Sequence, residues 1–122
     1  MQHSPGFLKI VEEAKSRVHE VTLEDLRARL TANPSLVLVD VREDNEWAAG
    51  HAVEAVHLGK GILERDLESR VPDPETEIVL YCGGGFRSAL SAEAAGRMGY
   101  RNVASLIGGY KAMVTAGWPM VR

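Results

Sequence analysis

The chain of 122 residues contains a single cysteine, and this scarcity excludes several classes of protein. One thiol cannot form an internal disulfide, so a small secreted domain held together by disulfides is excluded. The cysteine and the histidines do not have the spacing typical of a zinc site, and we expect neither a metal nor a cofactor. Because a lone thiol stays reduced in a reducing compartment, we expect a cytoplasmic protein.

Long apolar runs and a strong excess of one charge are also lacking. No run approaches the roughly 20 apolar residues that span a bilayer, and residues 1–6 lack the basic-then-apolar pattern of a secretory signal. The 14 basic and 17 acidic residues give a formal net charge of −3, so charge gives no reason to expect binding to nucleic acid. We therefore expect neither a membrane nor nucleic acid among the partners.

Short apolar runs alternate along the chain with segments of helical periodicity. This alternation predicts βα units and a mainly parallel sheet that is covered on both faces. In such sheets the reactive loops lie at the carboxyl ends of the strands. The predicted strands are Leu36–Val39, Ala55–Leu58, Ile78–Tyr81 and Val103–Leu106, and the predicted helices cover residues 7–18, 23–30, 43–49, 62–71, 87–98 and 110–116.

The one cysteine, Cys82, directly follows a predicted strand and precedes three glycines and a predicted helix. Glycines allow the loop to curl until several backbone N–H groups point inward, and the start of the helix offers further unpaired N–H groups. Arg87 could add a positive charge and Ser88 a hydroxyl donor. Together these groups would stabilise a thiolate, the reactive form of cysteine. A lone buried cysteine is more often a small apolar residue, but this position favours a nucleophile.

Spacing separates this loop from other anion-binding loops. It approximates a dinucleotide fingerprint, but no acidic residue for a ribose stands at residues 100–108, about 20 positions further on. The phosphate-loop pattern GxxxxGK[ST] is absent. Cysteine phosphatases use a longer loop that encircles a phosphate, whereas only four residues separate Cys82 from Arg87. The shorter ring suits a single sulfur atom better.

An ordered set of short motifs resembles the rhodanese domain, the fold of the thiosulfate sulfurtransferases. The motifs are Asp40-Val41-Arg42-Glu43, Glu46-Trp47, Gly50-His51, the loop Cys82–Ser88, Gly99-Tyr100, Asn102-Val103, Gly108-Gly109 and Gly117-Trp118-Pro119. The resemblance implies a single α/β domain at residues 19–122, with a central, mainly parallel five-stranded sheet flanked by helices on both faces. Residues 1–18 are then predicted to form an N-terminal extension with an amphipathic helix.

The resemblance also implies a function. It implies a sulfurtransferase that moves a sulfane sulfur from a donor such as thiosulfate to a thiol or cyanide acceptor, through a persulfide on Cys82. An alternative stays open, in which the domain is a sulfur carrier or interaction module that receives sulfur only from a protein partner. The catalytic residue implied is Cys82, and the implied substrate-binding residues are Gly83, Gly84, Gly85, Phe86, Arg87 and Ser88. Some members that use thiosulfate have basic side chains directly after the cysteine, whereas Gly83 and Gly84 have none, so efficient use of thiosulfate stays an open question.

Charged and aromatic residues outside the loop are predicted to be structural. Asp40 and Arg42 follow an apolar run and are expected to form an ion pair or hydrogen-bonded anchor. His51 is predicted to be a hydrogen-bonded core residue rather than a base. Trp47 and Trp118 are predicted to pack.

Overall fold

The computed structural model describes residues 3–122. Within this range no helix is long and apolar enough to cross a membrane. The helices described are α1 (Pro5–Lys15), α2 (Leu23–Ala32), α3 (Asp44–Ala49), α4 (Leu63–Arg70), α5 (Phe86–Arg97) and α6 (Gly109–Thr115), with a short 3₁₀ helix at Lys60–Ile62. The strands are β1 (His19–Val21), β2 (Val37–Asp40), β3 (His51–Ala52), β4 (Val56–His57), β5 (Ile78–Tyr81), β6 (Val103–Leu106) and β7 (Met120–Val121).

Five strands form one parallel sheet in the order β1-β6-β5-β2-β4, which confirms the predicted α/β fold. In the centre of the sheet, Leu80 of β5 is in register with Val39 of β2 on one side and with Ser105 of β6 on the other. Every residue of β5 and of β6 is buried. This is the pattern expected of strands that are covered on both faces.

Each face of the sheet has its own apolar core, because successive side chains of a strand point to opposite faces. Along β5, Leu80 lies in a cluster with Leu63 and Leu67 of α4, while Tyr81 lies in a second cluster with Met113 of α6. Full burial of one such side chain contributes about 1.5–3 kcal/mol. The two clusters fix helices on both sides of the strands whose ends carry the candidate site.

Three short strands were not predicted. The edge strand β1 has only one buried residue, and β3 and β7 are two-residue strands that pair antiparallel with each other. Segments this short carry too little apolar periodicity to be recognised as strands.

The first helix differs from the prediction at both ends. It begins at Pro5, after Ser4, whose hydroxyl accepts the Phe7 N–H at 3.3 Å. Proline favours the first helical position because its missing N–H has no partner there. The helix ends at Lys15, so Val18 lies outside it and packs against the core from the following turn.

Candidate active site

Cys82 directly follows β5, and the loop after it winds back over the sulfur atom. The N–H of Gly85 donates a hydrogen bond to Sγ at 3.1 Å, and Oγ of Ser88 lies 3.5 Å from Sγ. Ser88 belongs to the first turn of α5. Cys82 is only 1% exposed. The sulfur therefore lies at the floor of the loop, where it accepts the Gly85 N–H and contacts the Ser88 hydroxyl.

These donors change the acidity of the thiol. Burial, the largest single influence, raises the pKa of Cys82 because a low-dielectric surrounding disfavours the charged form. Hydrogen bonds from the Ser88 hydroxyl and from the backbone N–H groups of Ser88, Gly84 and Gly85 act in the opposite direction and outweigh burial. The pKa of Cys82 therefore lies below its ordinary value. The arrangement favours a thiolate, although the side chain is buried.

A second buried hydroxyl stands behind the first. Oγ of Ser105, in β6, lies 2.8 Å from Oγ of Ser88, and both side chains are fully buried. If Ser105 donates to Ser88, the hydroxyl hydrogen of Ser88 is free to point at the sulfur. Sequence reasoning did not single out Ser105. The available signal was a hydroxyl residue in the middle of the apolar strand Val103–Leu106.

The turn at Gly85 depends on the absence of a side chain. Gly85 has φ +95°, in the left-handed region that favours glycine. A Cβ atom there would stand 3.2 Å from the carbonyl oxygen of Leu106. Gly85 is also the N-cap of α5, so its N–H can point into the loop toward the sulfur.

The start of α6 holds the outer side of the same loop. The N–H of Tyr110 donates to the carbonyl oxygen of Cys82 at 2.7 Å, and the N–H of Lys111 donates to that of Gly83 at 3.1 Å. Gly109 makes this approach feasible, because a Cβ atom there would lie 2.4 Å from the Cys82 carbonyl oxygen. The carbonyl groups of Cys82 and Gly83 are thus bonded on the α6 side, away from the N–H groups that face the sulfur.

Arg87 forms an ion pair with Glu46 of α3. Its Nη1 and Nη2 atoms lie 2.9 Å and 3.3 Å from the two carboxylate oxygens of Glu46. The guanidinium also lies beside Gly83, where a Cβ atom would stand 3.1 Å from Nη2. The hydrogen bond from Arg87 lowers the pKa of Glu46, so the carboxylate stays charged. Sequence reasoning placed Arg87 in the loop but did not identify Glu46 as its partner.

The other predicted loop residues lie at the outer side. Gly83 is half-buried and Gly84 is exposed. The ring of Phe86 contacts α1 and its N-terminal flank, with centroid distances of 4.7 Å to His3 and 6.4 Å to Phe7. The loop is therefore bordered by the N-terminal helix.

The predicted ion pair of Asp40 and Arg42 is present and buried. Arg42 Nη2 lies 2.8 Å from Asp40 Oδ2 and donates to the Gly50 carbonyl oxygen at 2.7 Å, and the guanidinium stacks 3.9 Å over the Tyr110 ring. The pair thus joins β2 to the start of α6. His51 forms the predicted hydrogen bond, with Nδ1 3.1 Å from the Trp47 carbonyl oxygen, and its ring stacks on that of Trp47. Both side chains are only half-buried, so His51 lies at the border of the core rather than within it. The Trp118 side chain is buried.

Comparison with known proteins gives one family and several relatives. Residues 22–116 match the family model named Rhodanese-like domain. A curated sulfurtransferase of Allochromatium vinosum is 32% identical over 104 residues, which cover 85% of this chain and 95% of the relative. YrkF of Bacillus subtilis, named as a candidate sulfur carrier protein, is 27% identical over 99 residues. That match covers 81% of this chain and 52% of YrkF, so the chain spans about half the length of that relative.

A solved structure resembles the whole fold. It is a protein from Rhodopseudomonas palustris CGA009, described as of unknown function and as a possible tyrosine phosphatase. The two chains are 31% identical with a TM-score of 0.83, and the alignment covers 99% of this chain and 98% of that one. The family match covers more than half of the chain and includes the Cys82 loop. The chain therefore belongs to the rhodanese-like domain family, whose relatives include sulfurtransferases.

Proposed function

We propose that this protein transfers a sulfane sulfur through a persulfide on Cys82. The observation that carries the proposal is the convergence of the Gly85 N–H and the Ser88 hydroxyl on Sγ, at the end of a central strand. Hydrogen bonds directed at a sulfur anion stabilise both a thiolate and a terminal persulfide, because both carry negative charge at this end of the side chain. The sulfurtransferase relatives support the same chemistry.

The proposed reaction is a double displacement. The Cys82 thiolate attacks the outer sulfur of a donor such as thiosulfate. A new S–S bond forms at Sγ, the S–S bond of the donor breaks, and its electron pair leaves with sulfite. A thiolate or cyanide then attacks the outer sulfur of the persulfide, departs with that atom, and restores the Cys82 thiolate.

The loop residues have separate roles in this proposal. Cys82 is the nucleophile and sulfur carrier. The proposed substrate-binding residues are Gly83, Gly84, Gly85, Phe86, Arg87 and Ser88, of which Phe86 borders the loop on the side of α1. The backbone N–H groups of Gly84, Gly85 and Ser88 stabilise the anion, as their effect on the pKa of Cys82 indicates.

Intact-mass measurement after incubation with a sulfane donor tests the proposal. We expect a gain of about 32 Da, the mass of one sulfur atom bound covalently, and loss of this gain on addition of cyanide. Cys82→Ala should abolish the gain. A panel with thiosulfate, a thiosulfonate and an alkyl persulfide covers the donor classes, and no adduct with any of them would contradict the proposal.

A second candidate is a sulfur carrier that is loaded only by a protein partner. The small exposure of Cys82 favours it, because a protein donor can open the loop as it docks. The similarity to YrkF supports the same candidate. Slow loading from free donors together with rapid loading from a persulfidated protein would distinguish the carrier from the enzyme.

Two predictions accompany the proposal. We propose that residues 19–122 form the rhodanese-like domain and that residues 1–18 are an N-terminal extension, whose helix α1 packs against α5. We also propose that the protein works in the cytoplasm, where reducing conditions keep a lone thiol free.

A further inference from the structure

The positive charge at the Cys82–Ser88 loop is paired with a carboxylate. The loop from Cys82 to Ser88 contains one basic residue, Arg87. That guanidinium is held by both carboxylate oxygens of Glu46, at 2.9 Å and 3.3 Å. A second cation, Lys15 of α1, lies 4.8 Å over the Phe86 ring of the loop and pairs with Glu20 at 3.7 Å. Both positive charges are therefore compensated by carboxylates before a donor arrives.

Glu46 is fixed in this position by its own helix. Its Oε1 atom accepts the N–H of Glu43 at 3.0 Å, which closes a capping box at the start of α3. Arg87 and Glu46 side chains are 30% and 33% exposed, so the pair is reachable by a donor but partly shielded from water. The nearby carboxylate of Glu43 adds further negative potential at Arg87. Glu43 and Glu46 thus place two carboxylates near Arg87, the one basic residue of the Cys82–Ser88 loop.

We propose that Glu46 is a specificity-determining positioning residue that, through Arg87, directs the site toward singly charged sulfane donors and away from dianions. Alkyl persulfides and thiosulfonates belong to the favoured class, and thiosulfate to the disfavoured one. The inference rests on the proposed sulfur transfer and concerns only the choice of donor. It does not alter the roles of Cys82 and the N–H groups.

Two donors of nearly the same shape isolate the charge. Thiosulfate carries two negative charges, and methanethiosulfonate replaces one charged oxygen by a methyl group. In both reactions the Cys82 thiolate forms a bond to the outer sulfur and the donor S–S bond breaks. The electron pair leaves with sulfite in the first case and with methanesulfinate in the second. The ratio of their kcat/KM values therefore reports the preference for charge, because the bond that breaks is of the same kind.

The decisive variant is Glu46→Gln. Glutamine keeps an oxygen that can accept the Glu43 N–H and a hydrogen bond from Arg87, but it removes the carboxylate charge. We expect the ratio of kcat/KM for thiosulfate to that for methanethiosulfonate to rise about fivefold or more. The uncompensated positive charge of Arg87 then attracts the dianion more strongly than the singly charged donor. The rise should shrink at high salt, where exposed charges are screened.

Glu93→Gln is the matched control. Glu93 pairs with Arg17 at 2.9 Å on the surface of α5. This variant therefore makes the same change in net charge without altering a contact of the Cys82–Ser88 loop. It should leave the donor ratio unchanged. A double-mutant cycle with Arg87→Gln tests whether Glu46 acts through Arg87. If it does, Glu46→Gln should change the donor ratio less when the guanidinium is absent.

The outcomes separate this inference from the proposed function. If wild-type protein gains sulfur from the donors but Glu46→Gln leaves the ratio unchanged, the inference is overturned and sulfur transfer stands. An equal change in the presence and absence of Arg87 overturns the positioning role. If neither donor modifies Cys82 in the wild-type protein, the proposed transfer from free donors fails and the inference fails with it. Equal melting temperatures of wild type and variant exclude an effect through folding.

Discussion

The parallel sheet has different surroundings where its strands begin, here called the amino edge, and where they end, the carboxyl edge. At the amino edge lies a groove of about 710 Å³, lined by side chains that include Arg29, Asn33 and Glu77. Arg29 and Asn33 both bond Glu77, at 2.8 Å and 3.1 Å. At the carboxyl edge Cys82 lies beneath a glycine loop and is 1% exposed. The groove offers open space, yet the candidate chemistry lies at the other edge.

The two edges differ in what their hydrogen-bond donors face. In the groove, Arg29 and Asn33 both direct their donors to one carboxylate. At the carboxyl edge, backbone N–H groups at the start of α5 have no partner within the helix and are turned toward a single sulfur atom. Such donors are worth most where water is excluded, because the local dielectric constant is low.

The largest effect is expected from Gly109→Ala at the carboxyl edge. Gly109 has φ +52°, and an added Cβ would lie 2.4 Å from the Cys82 carbonyl oxygen, so the loop would have to move. A displacement of about 1 Å at a reacting centre can lower the rate about a hundredfold. We expect persulfide formation to fall by about that factor, measured by mass spectrometry over time.

Gly117→Ala is the control for backbone strain. Gly117 has a similar φ of +74°, but an added Cβ would meet no atom within 4 Å among the described residues. The variant should lose stability, by roughly 1–2 kcal/mol for the left-handed conformation, while it keeps its rate of sulfur loading. Equal loss of loading in both variants would show that strain alone, rather than displacement of the loop, is responsible.

A smaller effect is expected from Ser88→Ala. The Ser88 hydroxyl lowers the pKa of Cys82, and a hydrogen bond to a charged group contributes about 1.5–3 kcal/mol. Its loss should therefore raise the pKa of the Cys82 thiol. The pH dependence of alkylation by iodoacetamide measures the shift.

Ser91→Ala provides the comparison within the same helix. Ser91 is also buried in α5, but its Oγ has no hydrogen-bond partner among residues 3–122. Its removal should leave the thiol pKa unchanged. A shift of the same size in both variants would mean that the pKa responds to packing of α5 rather than to the Ser88 hydroxyl.

The smallest effect is expected from Glu77→Gln at the amino edge. This change weakens the pair with Arg29 but keeps an oxygen that can accept from Asn33. Ion pairs that are partly exposed contribute about 0–1 kcal/mol, so the melting temperature should change little. Sulfur loading should not change. A clear loss of loading would break the comparison between the two edges, because it would give the groove a part in the chemistry.

The sequence predicted the central part of the fold because its signals are local and strong. The apolar runs Ile78–Tyr81 and Val103–Leu106 match β5 and β6 at both ends. The start of α2 is likewise set by neighbours in sequence, because the side chains of Thr22 and Asp25 each accept the other's backbone N–H. The position of Cys82 at a strand end followed from this pattern, because parallel strands present their carboxyl ends at one edge.

Contacts between distant segments could not be predicted in the same way. Nothing near Arg87 in the sequence indicates that Glu46 will hold its guanidinium, since the pair depends on how α3 packs beside the loop. The hydrogen bond between Ser88 and Ser105 depends on the register of β6 in the sheet. Similarly, the contact of Phe86 with α1 requires the tertiary arrangement of two helices.

The most direct test of the account is the rate of Cys82 alkylation as a function of pH in the wild-type protein. Because hydrogen bonds to the sulfur outweigh its burial, we predict that the rate reaches half of its maximum at a pH below the pKa of the thiol in a free cysteine peptide measured under the same conditions. A midpoint at or above that value would contradict the claim that the loop stabilises negative charge on the sulfur of Cys82.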